Sequence, residues 1–289
     1  RDYTEQWLAN AYYQLLSYNL EIGHVRFTLT NYSDDMIFTE GGAGISYSNY
    51  KFGQYGPQYG GNVNALIARP WDQSYEGIRQ ASIFLQHVHP GAEISAEMCD
   101  DLKGQAYFIR GYLYWLLLRK YGPVPILPDE GLDYEAPYSD LAYPRSTYDE
   151  CAEYIAEQML LAAQFLESDR SSRNASRPTK GAALAVRAKA YLYAASPLMN
   201  GNPDMSSFTD DTGKELISGE YDEEKWAKAA AAALDVIRLN KYEIYVAPKR
   251  SSGGLWGAYP KTIEPPYHPV YSERGWKDGG WKYIDPLDS

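Results

Sequence analysis

The chain has 289 residues, of which 45% are hydrophobic and 22% charged, a composition typical of one large globular domain or two smaller ones. Its formal net charge of −11 argues against a nucleic-acid partner, because an acidic chain releases no counterions from a phosphate backbone. No segment approaches the run of about 18 apolar residues expected of a membrane-spanning helix. The two cysteines, Cys99 and Cys151, form neither a disulfide framework nor a metal-ligand spacing.

The first half of the chain is predicted to contain three helices and one long loop. The helices cover residues 4–20, with Thr4 as a cap, then 71–88 and 95–121. Apolar residues at steps of three and four predict a buried stripe in the third helix: Leu102, Ala106, Ile109, Leu113 and Leu116. The loop at residues 41–64 holds seven glycines and four tyrosines without a helical or strand period, which is typical of a functional or mobile segment.

The second half repeats a pattern of the first. Helices are predicted at residues 147–166, 180–195 and 223–239. The segment KGQAYFIRGYLY at 103–114 aligns with KGAALAVRAKAY at 180–191, an offset of 77 residues, and the preceding helices repeat at about the same offset. A bulky first helix followed by a second helix with small residues at fixed spacing is typical of tetratricopeptide-like repeats. We therefore predict a mostly α fold of such helix pairs, with long, irregular, aromatic-rich loops.

The last predicted helix, at residues 223–239, has the pattern of the first helix of another unit. Residues 250–289 contain turns and aromatic residues but no apolar helical stripe that would pair with it. We expect either that another segment covers this helix or that the natural chain continues past Ser289. The predicted organisation is a helical repeat scaffold at residues 1–249 and an irregular segment rich in tryptophan and tyrosine at residues 250–289.

Four rings and two equivalent arginines of the repeated helices could contact a ligand, but we expect them to serve the packing of the fold. Four rings could line a ligand or cofactor pocket, but we expect them to pack between helices: Tyr107, Tyr112, Tyr114 and Trp115. Arg110 and Arg187 occupy equivalent positions in the two repeats. We expect each arginine to hydrogen-bond the backbone or to pair with an acidic residue rather than to contact a ligand.

Tyrosine is unusually common, with 28 Tyr and 7 Trp against 7 Phe. Rings with polar groups can stack on a ligand while neighbouring amides hydrogen-bond it. Two segments have this composition and supply the candidate ligand-binding residues: Tyr47, Asn49, Tyr50, Tyr55, Tyr59 and Asn62 in the loop, and Trp256, Tyr259, Tyr271, Trp276 and Trp281 in the tail. The alternative is that these rings pack against other parts of the protein.

The sequence carries no recognisable catalytic or metal-binding motif. Nucleophile-elbow, zinc-protease, P-loop and dinucleotide fingerprints do not occur, so we predict that the protein is not an enzyme. His87 and His89 would point to different sides of a helix. Residues 200–211 distantly resemble a calcium loop, but Met205 stands where that loop requires glycine, so an Asn-Gly turn after a helix is preferred. We predict no cofactor and no metal.

The segment GQAYFIRGYLYWLLLRKYGPVPIL resembles the hallmark helix of the SusD-like (RagB/SusD) family, outer-membrane nutrient-binding lipoproteins of Bacteroidetes. The matching positions are Gly104, Ala106, Phe108, Ile109, Arg110, Gly122 and Pro125. Further matching blocks are WDQSYEGIRQASIFLQHV, KGAALAVRAKAYLYAASPLMNG and WAKAAAAALDVIRLNKYEIY. Family members are usually longer and begin with a lipidated cysteine, so this chain is expected to be the N-terminal portion of a longer precursor.

The resemblance implies a scaffold held by lipid on the extracellular face of the outer membrane. It would capture oligosaccharides and pass them to a SusC-like TonB-dependent transporter, over which it would sit as a lid, without catalysing a reaction. Two alternatives remain open: the same scaffold could capture peptides, or it could bind a protein partner without a small ligand.

Overall fold

The computed structural model describes residues 2–16, 70–132 and 135–243. Within these ranges the chain forms seven α-helices, two short 3-10 helices and no β-strand, which confirms the mostly α fold class. The α-helices are α1 (Asp2–Leu16), α2 (Pro70–His87), α3 (Ala96–Tyr121), α4 (Tyr138–Leu141), α5 (Tyr148–Phe165), α6 (Lys180–Ala195) and α7 (Glu224–Arg238). The chain divides into two compact units, Arg1–Leu239 and Asn240–Ser289, and all of these elements belong to the first.

The predicted helices agree with the observed ones to within a few residues where the structure describes them. The interval 180–195 is identical in both. The predicted cap at Thr4 is wrong, because α1 already begins at Asp2 and Thr4 lies inside its first turn. The short helix α4 was not predicted, since a single turn is too short to show a periodic apolar stripe.

Side-chain caps explain where the main helices begin. The N–H of Met98 donates to Ser95 Oγ at the start of α3, and the N–H of Ala182 donates to Thr179 Oγ1 at the start of α6. At the start of α5, Thr147 and Glu150 form a reciprocal capping box. The backbone N–H of Thr147 holds the pKa of the Glu150 carboxyl below its usual range.

Gly122 ends α3 and turns the chain. Its φ of 69° lies in the region that favours glycine, and its N–H donates to Leu118 O at 2.9 Å. Pro123 follows and cannot donate to a continuing helix. The segment that follows contacts α2, where the Tyr75 hydroxyl donates to Pro125 O at 2.8 Å.

Helix α3 lies at the centre of the core. It packs against α1, α2 and α5, and the whole predicted stripe from Leu102 to Leu116 is buried. Helix α6 in turn packs between α5 and α7. The pairs α2–α3 and α5–α6 are therefore consecutive helix hairpins stacked on one another, as tetratricopeptide-like repeats require.

Equivalent arginines join successive helices in the two repeats. Arg110 Nε donates to Gln158 Oε1 at 2.9 Å, and Arg187 Nη1 donates to Asp235 Oδ2 at 2.7 Å. Each donor and its acceptor are 48 residues apart, and the second pair is the first shifted by the repeat offset of 77 residues. Arg110 also pairs with Asp129 at 3.0 Å, so the prediction that each arginine hydrogen-bonds the backbone or pairs with an acidic residue is confirmed.

Helix α7 buries only one side against α6. Ala229 and Ala232 are buried, whereas Trp226, Leu234 and Ile237 are exposed. The expectation that another segment or a continuing chain covers this side stays a prediction, as does the division of the chain at residue 249. None of the described helices is both long and apolar enough to cross a membrane.

Candidate functional site

All eleven predicted glycan-binding residues lie outside the described residues. Six of them belong to the loop at 41–64 and five to the segment at 250–289. Their contribution to a binding site stays a prediction. The described part of the chain contains a different candidate, which the sequence reading did not identify.

This candidate is a groove between α1 and α2 with a volume of about 500 Å³. We call it the α1–α2 groove and define it by its seven polar lining residues. They are Asn10, Tyr13, Gln14, Asp72, Gln73, Glu76 and Gln80. Its volume lies within the range of pockets that hold small ligands.

Helical spacing places these side chains on facing surfaces. Asn10, Tyr13 and Gln14 lie within one turn of α1, at steps of three and four from the first. On α2, the step of three from Gln73 to Glu76 and the step of four to Gln80 keep the polar side chains on one face. The two helices pack against each other, so both polar faces border the same groove.

A glycine allows the two helices and the core to approach closely beneath the groove. A Cβ added at Gly77 would lie 2.5 Å from Leu113 Cδ1 and 3.0 Å from Gln14 Cβ, closer than side-chain carbons normally come. Gln14 is therefore held at the base, with only 6% of its surface exposed. Tyr13 precedes Gln14 on the same helix, and 64% of its surface is exposed.

Within the described part of the chain, the fold does not use the polar groups of the groove. Within the described ranges, none of the seven side chains forms a hydrogen bond or ion pair with another residue. Side-chain amides offer a donor and an acceptor, and ionised carboxylates offer acceptors only. Together with the exposed ring of Tyr13, they form a surface suited to a neutral ligand with many hydroxyl or amide groups.

The rings of α3 belong to the core rather than to a pocket, as predicted. Tyr114 and Trp115 are almost fully buried, and Tyr107 and Tyr112 pack against the same core. Tyr114 Oη accepts a hydrogen bond from the backbone N–H of Leu127. Burial raises the pKa of the Tyr114 hydroxyl, so it stays a neutral hydrogen-bonding group.

The segment after α6 has the geometry of an Asn-Gly turn. Asn200 donates to Asp222 O at 2.9 Å, and its Oδ1 accepts from the N–H of Asp222 at 2.8 Å. Gly201 follows with a φ of 77°. The described residues contain no group of three His, Cys, Asp or Glu side chains that could hold a metal ion.

The polar positions of the groove were visible in the sequence, but their pairing was not. A polar stripe on a helix is typical of a solvent-facing surface, so neither stripe by itself indicates a site. The distinguishing feature is that α1 and α2 lie side by side although 53 residues separate Leu16 from Pro70. Helical periodicity carries no information on such a contact.

Comparison with known proteins decides the family. A family model described as "Starch-binding associating with outer membrane", SusD-like_3, matches residues 6–192. The chain belongs to the SusD-like family. The match contains helices α1 to α5 almost entirely and most of α6, and hence the whole α1–α2 groove. It confirms the resemblance drawn from the hallmark helix.

Solved structures of SusD-like proteins share the fold. BT4246 is 33% identical and superposes with a TM-score of 0.54 over 58% of this chain and 29% of its own. A SusD superfamily protein from Parabacteroides distasonis is 20% identical, with a TM-score of 0.54 over 84% of this chain and 46% of its own. A laminarin-binding SusD-like protein is 19% identical, with a TM-score of 0.54 over 75% of this chain and 46% of its own.

The SusD-like chain described here therefore spans less than half the length of each of these three structures. No curated protein is similar enough in sequence to match it.

Proposed function

We propose that the protein binds oligosaccharides, and that the α1–α2 groove forms part of the binding surface. One observation carries this proposal: seven polar side chains converge in the groove, and among the described residues none of them forms a hydrogen bond or ion pair. Among the described residues, no amide atom of the groove is both buried and unsatisfied, so these amides face solvent and can hydrogen-bond a ligand there. A sugar presents adjacent hydroxyls that both donate and accept, which matches the mixture of amides and carboxylates.

The comparisons support the same ligand class. The description of the family includes starch binding, and one structure with the same fold is a laminarin-binding protein. The position of the groove along the chain also supports it. Residues 10–14 and 72–80 flank the interval that contains the predicted tyrosine-rich loop at 41–64. We propose that the loop and the groove contribute to one binding surface.

We further propose that the protein acts at the outer membrane, held on the extracellular face by lipid. There it would deliver oligosaccharides to a SusC-like TonB-dependent transporter as its lid, and it would catalyse no reaction. The family description, which includes association with the outer membrane, supports the location. The transporter and the lipid anchor come from the family resemblance.

A binding panel tests the proposal. The protein is titrated calorimetrically with maltooligosaccharides, laminarin oligosaccharides and peptides of similar size. We expect binding of at least one oligosaccharide, and we expect the double variant Gln73→Ala, Gln80→Ala to weaken it about tenfold, because two hydrogen bonds contribute roughly 1–3 kcal/mol together. Gln164→Ala, at an exposed position on α5, is the matched control and should leave affinity unchanged.

Two results would contradict the proposal. Binding of peptides but not of any sugar would favour the peptide-capturing alternative. An oligosaccharide affinity that is equal in the double variant and in the control would remove the groove from the site.

A further inference from the structure

A second cavity lies on the other side of α1, where α1, α3 and the loop between α5 and α6 meet. Its volume is about 830 Å³. We call it the Arg177 cavity and define it by six of its charged lining residues: Glu5, Glu97, Asp101, Arg170, Arg173 and Arg177. The family resemblance and the glycan-binding candidates drawn from the sequence do not touch this place.

Arg170 forms part of the cavity wall, and its guanidinium is already paired with other groups of the protein. The Arg170 side chain is almost completely buried and donates twice to Pro178 O, at 3.0 and 2.8 Å, which closes the loop between α5 and α6. Its Nη1 donates to Asp101 Oδ2 at 2.9 Å, and it also pairs with Glu167. Its charge is therefore neutralised inside the protein.

Arg177, by contrast, has no carboxylate partner among the residues that the structure describes. Its guanidinium carbon lies 4.2 Å from the centroid of the Tyr12 ring. Arg173 lines the same wall from the short 3-10 helix Ser172–Asn174 and is exposed. Within the described part of the chain, neither Arg173 nor Arg177 forms an ion pair with an acidic residue.

The ring beneath Arg177 is fixed by a chain of hydrogen bonds. Tyr12 donates to Gln105 Oε1 at 2.9 Å, and Gln105 donates to Asp101 Oδ2 at 2.7 Å. Burial raises the pKa of Tyr12 to about 12, although the Arg177 guanidinium opposes this rise, so the hydroxyl remains a donor at neutral pH. Arg177 is thus held on a rigid support.

A guanidinium that stacks on a ring keeps its in-plane N–H groups free for a bidentate carboxylate. The lining from α1 and α3, its acidic wall, carries the carboxylates of Glu5 and Glu97, and a carboxylate can accept hydrogen bonds from the hydroxyl groups of a ligand. With three arginines and four carboxylates in its lining, the cavity would repel a ligand with many negative charges. The lining therefore matches a ligand that combines one carboxylate with several hydroxyls.

We propose that the Arg177 cavity binds the uronic acid residue of an acidic oligosaccharide, with its carboxylate on Arg177 and Arg173 and its hydroxyls on the acidic wall. The inference rests on the proposed function in taking the ligand to be a sugar. It adds a charged subsite to the neutral surface of the α1–α2 groove.

Two disaccharides that differ in one group test the inference. Cellobiouronic acid carries a carboxylate where cellobiose carries a hydroxymethyl group. By calorimetry, the protein should bind cellobiouronic acid about tenfold more tightly than cellobiose, because a bidentate charge-assisted pair is stronger than a neutral hydrogen bond. Trigalacturonate, with three carboxylates, should bind no more tightly than cellobiouronic acid.

Substitutions of single arginines test which side chains cause the preference for cellobiouronic acid over cellobiose. Arg177→Gln and Arg173→Gln should each bring the affinity ratio close to one. Arg238→Gln removes the same charge from the exposed end of α7 and should preserve the ratio. Arg177→Lys keeps the charge but loses the planar fork, and it should retain only part of the preference. If Arg177→Gln fails to fold, Arg173→Gln and Arg177→Lys decide the question.

The outcomes separate this inference from the proposed function. Equal affinities for the two disaccharides in the wild type, or a ratio unchanged in the arginine variants, would overturn the acidic subsite while leaving neutral sugar binding intact. The protein could also bind uronate through Arg177 but independently of Gln73, and bind no neutral sugar. This result would support the acidic subsite and contradict the proposal that the α1–α2 groove binds oligosaccharides. Tighter binding of trigalacturonate would overturn the single-carboxylate assignment.

Discussion

Arg110 shows how a single buried side chain joins three parts of this SusD-like fold. It is 2% exposed and donates to Gln158 Oε1 on α5, to Ser82 Oγ on α2 and to Asp129 Oδ2 in the segment that follows α3. Asp129 also accepts a short hydrogen bond of 2.6 Å from Tyr154. A charge buried in this way is tolerated only because each of its donor groups has a partner.

Replacing Arg110 by leucine should lower the free energy of unfolding by about 3–5 kcal/mol, because it leaves Gln158 and Ser82 buried without their partner. The repeat supplies the matched control. Arg187→Leu removes an arginine whose side chain is 18% exposed and whose partner Asp235 is 43% exposed, so it should cost only about 1 kcal/mol. Urea denaturation of both variants measures the difference. Equal losses would show that burial of the Arg110 network is not what stabilises it.

Arg110 and Arg187 also show what could and could not be predicted from the sequence. The repeat alignment predicted that Arg110 and Arg187 are equivalent and that both have protein partners, because the alignment fixes which position corresponds to which. It did not predict Gln158 as a partner. A glutamine at one position of an apolar helix stripe carries no sign of what it faces until the next helix is packed on it.

At the scale of helices, the crossing of α3 and α5 depends on the absence of a side chain at Gly111. A Cβ at this position would lie 2.8 Å from Gln158 Cβ and 2.9 Å from Met159 Cε. Both contacts are well inside normal van der Waals distance, and both neighbours are buried. The two repeat units can approach this closely only because position 111 is glycine.

Gly111→Ala should therefore destabilise the protein by about 1–2 kcal/mol, since the overpacking cost of roughly 1–3 kcal/mol exceeds what alanine gains in helix propensity. Gly91→Ala is the control, because no atom lies within 4 Å of the Cβ it would add. Thermal unfolding followed by circular dichroism compares the two. A Tm of the Gly111 variant at or above that of the control would mean that α3 and α5 separate without cost.

The elements themselves were the most predictable part of the structure. Serine or threonine before a helix and Gly-Pro after it are local signals of helix ends, as Ser95, Thr147, Thr179 and the Gly-Pro after α3 show, although the cap predicted at Thr4 was wrong. The α1–α2 groove and the Arg177 cavity were not predicted. Each is made by helices that are distant in sequence, and the polar residues of each are indistinguishable in the sequence from those of an ordinary solvent-facing surface.

At the scale of the whole molecule, repetition organises the packing of the helices. The pairs α2–α3 and α5–α6 stack in register, and α7 continues the pattern with an arginine–aspartate link at the repeat offset. Helix α1 stands outside the repeat and packs on α2 and α3. The groove lies on one side of it and the Arg177 cavity on the other, so the non-repeated helix carries both proposed binding surfaces.

The most direct test of the proposed function is a crystal structure of the protein with its best-binding oligosaccharide. We predict sugar density between α1 and α2, with hydroxyl oxygens about 3 Å from the side-chain amides of Gln73 and Gln80. An oligosaccharide bound with full occupancy at a surface that excludes both α1 and α2 would contradict the account.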